Sequence, residues 1–114
     1  PQEVFPHYSA MKAGLSNFTV SLAKTLAADK IRVNAISPGP VWSKSWEDEV
    51  QGDASAKESA KKEIMQQTGQ TIPLQRMGMP EDLTGLALLL ASEQSSWITA
   101  TNFTVDGGLT GNPF

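Results

Sequence analysis

The chain has 114 residues, of which 39% are hydrophobic and 18% are charged. This composition is typical of a soluble globular domain and excludes a disordered chain. The net charge of −3 and the lack of a basic cluster argue against nucleic-acid binding and against docking to anionic membranes. With no cysteine and a single histidine, we expect no disulfide framework, no thiol catalysis and no zinc site. A cytoplasmic location is the expectation.

The first predicted element is a helix over residues 7–28. Large apolar residues recur there at spacings of three and four and form one stripe that needs a partner surface, namely Met11, Leu15, Phe18, Leu22 and Leu26. Alternating apolar and polar residues then predict a strand over 31–36. Pro38 and Pro40 are expected to end that strand at once, because proline lacks an amide donor.

The segment 42–70 has a different composition. Nine of the 17 residues from Glu47 to Glu63 are charged, which predicts an irregular stretch followed by a marginal, mobile helix. A further helix is predicted over 80–91, with a buried side made of Leu83, Leu86, Leu89 and Leu90. A buried strand over 103–105 follows and is closed by Asp106-Gly107-Gly108.

This order of helix, strand, charged segment, helix and strand predicts an α/β fold with parallel strands and helical crossovers. Two strands cannot make a stable doubly wound sheet, so we expect further strands upstream of Pro1. The absence of an initial methionine also favours a fragment. We call the longer polypeptide that these points predict the parent protein. The 114-residue chain alone is expected to fold poorly and to be inactive.

Tyr8 and Lys12 are four residues apart and therefore share one helix face. A tyrosine has a pKa of about 10, which is too high for a base at neutral pH. A nearby cation favours the phenolate and lowers the pKa of a tyrosine, which makes acid–base chemistry possible. Such a pair is weak support for catalysis by itself, since two residues on a solvated helix face give the same pattern.

The Pro-Gly loop from Ser37 to Ser43 strengthens the catalytic interpretation. It follows a predicted strand at its carboxyl end, where open α/β sheets bind their ligands. The charged segment 42–70 comes directly after the loop and is placed to fold over a ligand as a lid. Composition alone also fits a solvated surface segment.

Four motifs in order, YSAMKAGL, RVNAISPGPVWS, RMGMPEDL and TVDGG, resemble the C-terminal half of a short-chain dehydrogenase/reductase. The resemblance covers nearly the whole chain. It implies a Rossmann-like, doubly wound parallel sheet, of which residues 1–114 form the C-terminal part. It also implies an oxidoreductase that interconverts an alcohol and a carbonyl with NAD or NADP, acting as a homodimer or homotetramer on a small-molecule substrate.

Residue by residue, the resemblance makes Tyr8 the acid/base and Lys12 the partner that binds the nicotinamide ribose. It places both residues at the cofactor, together with the loop residues Pro38, Gly39, Val41 and Ser43. Ser43 stands where the family usually has threonine. Residues 42–70 match the substrate-binding segment, so Tyr8, Trp42 and Trp46 are candidates for substrate contact. Plain packing is an equal alternative for either tryptophan.

Other matched positions are structural in the family, namely Asn34, Arg76, Gly78, Pro80, Glu81 and Asp82. Ala100 stands where glycine is common, and we expect a local backbone adjustment there. The family's glycine-rich turn, its Asn-Ala-Gly motif and its catalytic serine all precede the tyrosine, so we expect them upstream of Pro1. The alternative function is that of a non-catalytic relative serving in subunit association, because the family's matching helices pack against their mates in a dimer.

Overall fold

The computed structural model describes residues 6–111, and for Pro6 and Tyr8 it describes the backbone only. In chain order the elements are α1 (Pro6–Leu26), β1 (Ala35–Pro38), α2 (Lys44–Glu49), α3 (Ala54–Gln70), α4 (Glu81–Leu90) and β2 (Asn102–Val105). Short 3-10 turns at Ala27–Asp29 and Glu93–Ser95 follow α1 and α4. The predicted alternation of helices and strands is therefore confirmed.

β1 and β2 are neighbours in a two-stranded sheet. The amide of Ala35 donates to the carbonyl of Thr101 over 3.0 Å, and the amide of Gly39 donates to that of Val105 over 2.9 Å. The constant register between these two bonds shows that the strands run parallel, as predicted. Parallel neighbours need a long crossover, which the segment from α2 to α4 supplies.

β1 begins at Ala35, four residues later than predicted. Val33 lies before the regular ladder, because its amide donates to Thr99 Oγ1 over 3.1 Å while its carbonyl accepts from the amide of Ala100 over 2.9 Å. The strand also continues through Pro38, contrary to the prediction. Proline does not interrupt the pairing there, because the next ladder bond is donated by Gly39.

Asn34 has the structural role that was predicted for it. Its side-chain amide donates to the carbonyl of Ile98 over 3.0 Å, and its side-chain oxygen accepts from the amide of Thr101 over 3.2 Å. Between these two residues, Ala100 has a φ of 59°, in the left-handed region that favours glycine. The backbone adjustment expected at Ala100 is therefore present.

The chain divides into two compact units, the first made of residues up to 36 together with 87–103. The buried residues of α1 are Thr19 and Ala23, which are small and permit close approach. The large apolar stripe, predicted to need a partner surface, is left uncovered over its first half, where Met11, Leu15 and Phe18 are 73%, 57% and 60% exposed. The stripe runs for about 22 Å along the helix, whereas two adjacent strands span only about 5 Å.

Two burial predictions are wrong in part. On α4, Leu83, Leu86 and Leu90 are half-buried, but Leu89 is exposed. In β2, Phe103 and Val105 are half-buried while Thr104 is exposed. The strand therefore has one covered face, because its alternating side chains point to opposite sides of the sheet.

The second unit comprises residues 37–86 together with those from 104 onward. Its buried apolar residues are Trp42, Ile72 and Met77. Part of the stretch predicted to be irregular is a short helix, α2, whose first turn forms because the carbonyl of Ser43 accepts from the amides of Trp46 and Glu47. The helix predicted to follow is α3, and Asp53 caps it by accepting from the amide of Ala56 over 2.8 Å.

Gly39 packs directly against Asp106 at the end of β2. A Cβ atom at position 39 would lie 2.5 Å from the Cβ of Asp106 and 2.9 Å from its Cα. This close approach of the two backbones requires glycine at position 39. The contact with Asp106 also fixes where the loop after β1 begins.

The Asp106 carboxylate organises the turn that Gly39 contacts. It accepts from the amides of Gly108 and Thr110, each over 3.0 Å, and from the Thr110 hydroxyl over 2.6 Å. The Thr110 hydroxyl is the main cause that lowers the pKa of Asp106 below its ordinary value. Ionised Asp106 thus stabilises the surface on which the start of the loop rests.

A two-bond ion pair closes the turn from 76 to 82. The guanidinium of Arg76 donates to both carboxylate oxygens of Asp82, each over 2.8 Å. The amide of Met79 donates to the same carboxylate over 2.8 Å. The Arg76 hydrogen bond is the main cause that holds the pKa of Asp82 well below its usual range. The predicted structural role of this stretch thus has a geometric basis.

Within residues 6–111, no helix combines the length and the apolar character needed to cross a membrane.

Gly39→Ala should destabilise the parent protein by about 1–3 kcal/mol, because the added methyl overlaps Asp106. Gly85→Ala is the matched control in the same unit, since a Cβ there meets no described atom within 4 Å. That control should stabilise α4 by up to about 1 kcal/mol. Urea unfolding of both variants measures the difference, and equal shifts would contradict the packing argument.

Acid should destabilise this unit. Asp82 has a lower pKa in the folded state than in the unfolded state. The stability that this difference provides is fully present above the unfolded pKa of about 4 and is lost as the pH falls toward the folded-state pKa. In the parent protein, Asp82→Asn should lower stability at neutral pH and flatten its decline below pH of about 4. Urea midpoints measured against pH test this expectation. Once Asp82→Asn is present, Arg76→Gln should lower the urea midpoint little further. A dependence of the midpoint on pH that is unchanged in Asp82→Asn would refute the assigned role of the ion pair.

Candidate active-site cleft

The loop after β1 pairs with Gly78 through an isolated parallel bridge centred on Val41. The amide of Gly78 donates to the carbonyl of Pro40, and the amide of Trp42 donates to the carbonyl of Gly78, each over 2.9 Å. A Cβ on Gly78 would lie 3.0 Å from a methyl of Val41 and 3.2 Å from the Pro40 oxygen. The loop is thus held by backbone pairing at a position with little room for a side chain.

This pairing sets the direction of the Val41 backbone. In a parallel bridge the flanking residues make the hydrogen bonds, and the central residue directs its own amide and carbonyl to the opposite side. Here Pro40 and Trp42 are the flanking residues. Val41 therefore presents one donor and one acceptor on the side away from Gly78.

An open cleft of ≈ 460 Å³ lies along this loop. Six of the predicted binding residues line it, namely Pro38, Gly39, Val41, Trp42, Ser43 and Trp46. Pro40, Pro80 and Leu83 complete its lining. Ser43 begins α2 without a capping bond from its side chain, so that its exposed hydroxyl is not committed to the helix end. The structure thus brings together all the candidate residues of the segment 38–46.

The two tryptophans of the cleft stack on each other. Their ring centroids are 6.2 Å apart and their planes are inclined by 24°. Trp42 is 4% exposed, whereas Trp46 is half-buried. Trp42 is therefore largely a packing residue, and Trp46 supplies more of the accessible aromatic surface.

Tyr8 and Lys12 lie on α1, in the first unit, and both fall within its helical span. Their i, i+4 spacing on one helix face is therefore present. Lys12 is exposed and borders an apolar surface with Met11, Gly14, Leu15 and Phe18. The side chain of Tyr8 lies outside the described part of the structure. His7 is exposed, as expected.

Two charged residues that contact Trp42 from outside the cleft lining were not anticipated. Glu47 accepts from the Trp42 indole nitrogen over 3.2 Å, and the Lys61 ammonium lies 5.2 Å from a Trp42 ring centroid. Neither had a signal in the sequence, since both belong to a densely charged segment. The three residues meet because α2 and α3 return the chain to Trp42.

Known proteins match this chain over almost its whole length. A family model described as enoyl-(acyl carrier protein) reductase matches residues 2–110. An uncharacterized oxidoreductase, Rv0769 of Mycobacterium tuberculosis, is 43% identical over 102 residues, covering 89% of this chain and 37% of that protein. The 3-oxoacyl-[acyl-carrier-protein] reductase FabG of Chlamydia pneumoniae is 43% identical over 104 residues, covering 91% and 38%. The chain therefore spans less than two fifths of the length of these relatives.

Solved structures agree with the fold. A short-chain type dehydrogenase/reductase from Mycobacterium marinum superposes with a TM-score of 0.71 at 36% identity, over 93% of this chain and 37% of that one. YwfH, described as an NADPH dependent reductase involved in bacilysin biosynthesis, gives a TM-score of 0.74 at 29% identity, over 91% and 39%. These matches confirm the Rossmann-like α/β fold class. On its sequence and its fold, the chain belongs to the short-chain dehydrogenase/reductase family of oxidoreductases.

Proposed function

We propose that this chain is the catalytic and substrate-binding half of an NAD(P)-dependent oxidoreductase that interconverts an alcohol and a carbonyl. The observation that carries the proposal is the cleft, where the side of the Val41 backbone that faces away from Gly78 stands beside an apolar aromatic wall. Relatives described as reductases, one of them NADPH dependent, support the reaction class.

The residues present fit a nicotinamide cofactor. The amide and carbonyl of Val41 match the donor and acceptor of a carboxamide, and Pro38 and Gly39, which line the same cleft, would pack against the ring. The Ser43 hydroxyl is a further polar contact for the cofactor. When bound, such a cofactor supplies or accepts the hydride.

In this proposal, the chain's own part in the reaction is proton transfer. During reduction the Tyr8 hydroxyl gives its proton to the substrate oxygen while that oxygen gains the electron pair of the carbonyl bond, and oxidation reverses the transfer. Lys12 stabilises the phenolate and binds the nicotinamide ribose. Helix α1 holds both residues, and a helix positions side chains more rigidly than a loop does.

The alternative function is subunit association by a non-catalytic relative. The apolar surface of Met11, Leu15 and Phe18 next to Lys12 fits such an interface and fits a core position in the parent protein equally well. Retention of both Tyr8 and Lys12 favours catalysis, since a structural role requires neither a phenol nor an ammonium at these positions.

Tyr8→Phe in the parent protein should lower kcat by about 10²–10⁴-fold, because the proton donor is lost while the ring is kept. Binding of NADH or NADPH, followed by nucleotide fluorescence, should change little. Lys12→Met should lower kcat and weaken cofactor binding together, whereas Lys24→Met, an exposed position on the same helix, is the matched control.

Two results would overturn the proposal. Turnover in Tyr8→Phe equal to that of the unaltered protein would remove the assigned acid/base. A parent protein that reduces no member of a broad carbonyl panel with either nucleotide would favour the association function.

A further inference from the structure

The cleft beside the loop is lined almost entirely by apolar surface. Among the residues that line it, Ser43 carries the one hydroxyl, and no charged side chain takes part within the described chain. A charged substrate group entering this space would be partly desolvated without meeting an opposite charge among these lining residues. An apolar group meets no such cost and gains from burial.

Trp46 gives this apolar space a flat wall. It is half-buried while its stacked neighbour Trp42 is almost fully buried, so Trp46 has the more accessible ring of the pair. Aromatic rings favour offset-stacked or edge-on neighbours with centroids about 4.5–7 Å apart, and the Trp42–Trp46 pair lies within that range at 6.2 Å. An aryl group entering the cleft extends the same arrangement by one ring.

Trp42 is fixed from several sides. Its indole nitrogen donates to Glu47 on α2, its backbone amide donates to Gly78, and Lys61 on α3 lies 5.2 Å from its ring centroid. A cation over an indole face is attracted by the negative face of the ring. Trp42 therefore connects both lid helices with the loop, and Lys61 contributes the contact from α3.

We propose that Trp46 is the specificity-determining residue of the cleft, that it selects carbonyl substrates bearing a flat aryl group, and that Lys61 is a positioning residue acting through Trp42. The substrate class rests on the proposed function. Lys61 does not line the cleft, so its effect on binding passes through the ring that stacks on Trp46.

Binding is tested without turnover by fluorine NMR of the parent protein with para-fluoroacetophenone, an aryl methyl ketone. An open-chain monofluorinated methyl ketone is the comparison ligand. The aryl ketone should bind more tightly, and Trp46→Ala should raise its Kd about tenfold. Trp46→Phe should keep most of the affinity, because a ring remains. Trp97→Phe is the matched control, since Trp97 is 98% exposed and lies outside the cleft.

Lys61 is tested by steady-state kinetics on the aryl ketone. Lys61→Met should raise KM about threefold with little change in kcat, and Lys61→Arg should restore KM because the cation is kept. Lys62→Met, at the exposed neighbouring position on α3, is the control. A loss of kcat alone, or no rescue by arginine, would overturn the positioning role.

The outcomes separate the two proposals. Equal Kd values for both ketones, or an unchanged Kd in Trp46→Ala, would overturn the aryl assignment even if the protein reduces other carbonyls. Tight, Trp46-dependent binding of the aryl ketone with no reduction of any carbonyl would support the cleft assignment and overturn the oxidoreductase function.

Discussion

The pairing of Gly78 with the loop after β1 is the constraint on which the candidate site depends. It fixes the register of residues 40–42 and determines which side of the chain the Val41 amide and carbonyl occupy. Gly78 is itself held by the turn that the Arg76–Asp82 ion pair closes. Both charges are too exposed for the pair to stabilise the fold strongly, so its value lies in the geometry that two parallel bonds impose.

Close backbone contact is the second support of the site. Gly39 lies against Asp106, and Asp106 in turn organises the turn after β2. The two glycines of the loop region, at 39 and 78, are therefore required for space and not for an unusual φ. This distinction is invisible in the sequence, where both glycines look like ordinary loop residues.

The sequence predicted the elements better than their limits and their buried faces. Within residues 6–111, apolar periodicity predicted α1 and α4, charged composition predicted α3, and apolar alternation and runs predicted both strands, because these patterns reflect local geometry. The start of β1 was misplaced because Val33 and Asn34 bond to groups of the segment 98–101, which is distant in sequence. The burial of Leu89 was overestimated because apolar periodicity shows which face is apolar and not what covers it.

The residues of the candidate site likewise fall into those that the sequence predicted and those that it did not. Residues 38–43 are contiguous, so a motif was enough to predict that they line one cleft. Lys61 and Glu47 reach Trp42 only through the path of α2 and α3, which no local pattern encodes. Tyr8 and Lys12 rest on helical spacing together with family resemblance, since spacing alone is common on solvated helices.

Trp42 joins two functions in one residue. Its backbone amide completes the bridge that orients Val41, and its indole carries the stack that presents Trp46. The contacts of this ring with Glu47 on α2 and Lys61 on α3 therefore act on the same residue whose amide holds the loop beside Val41. The same residue thus ties the geometry of the loop backbone to the packing of the aromatic pair, because its amide and its ring cannot move independently.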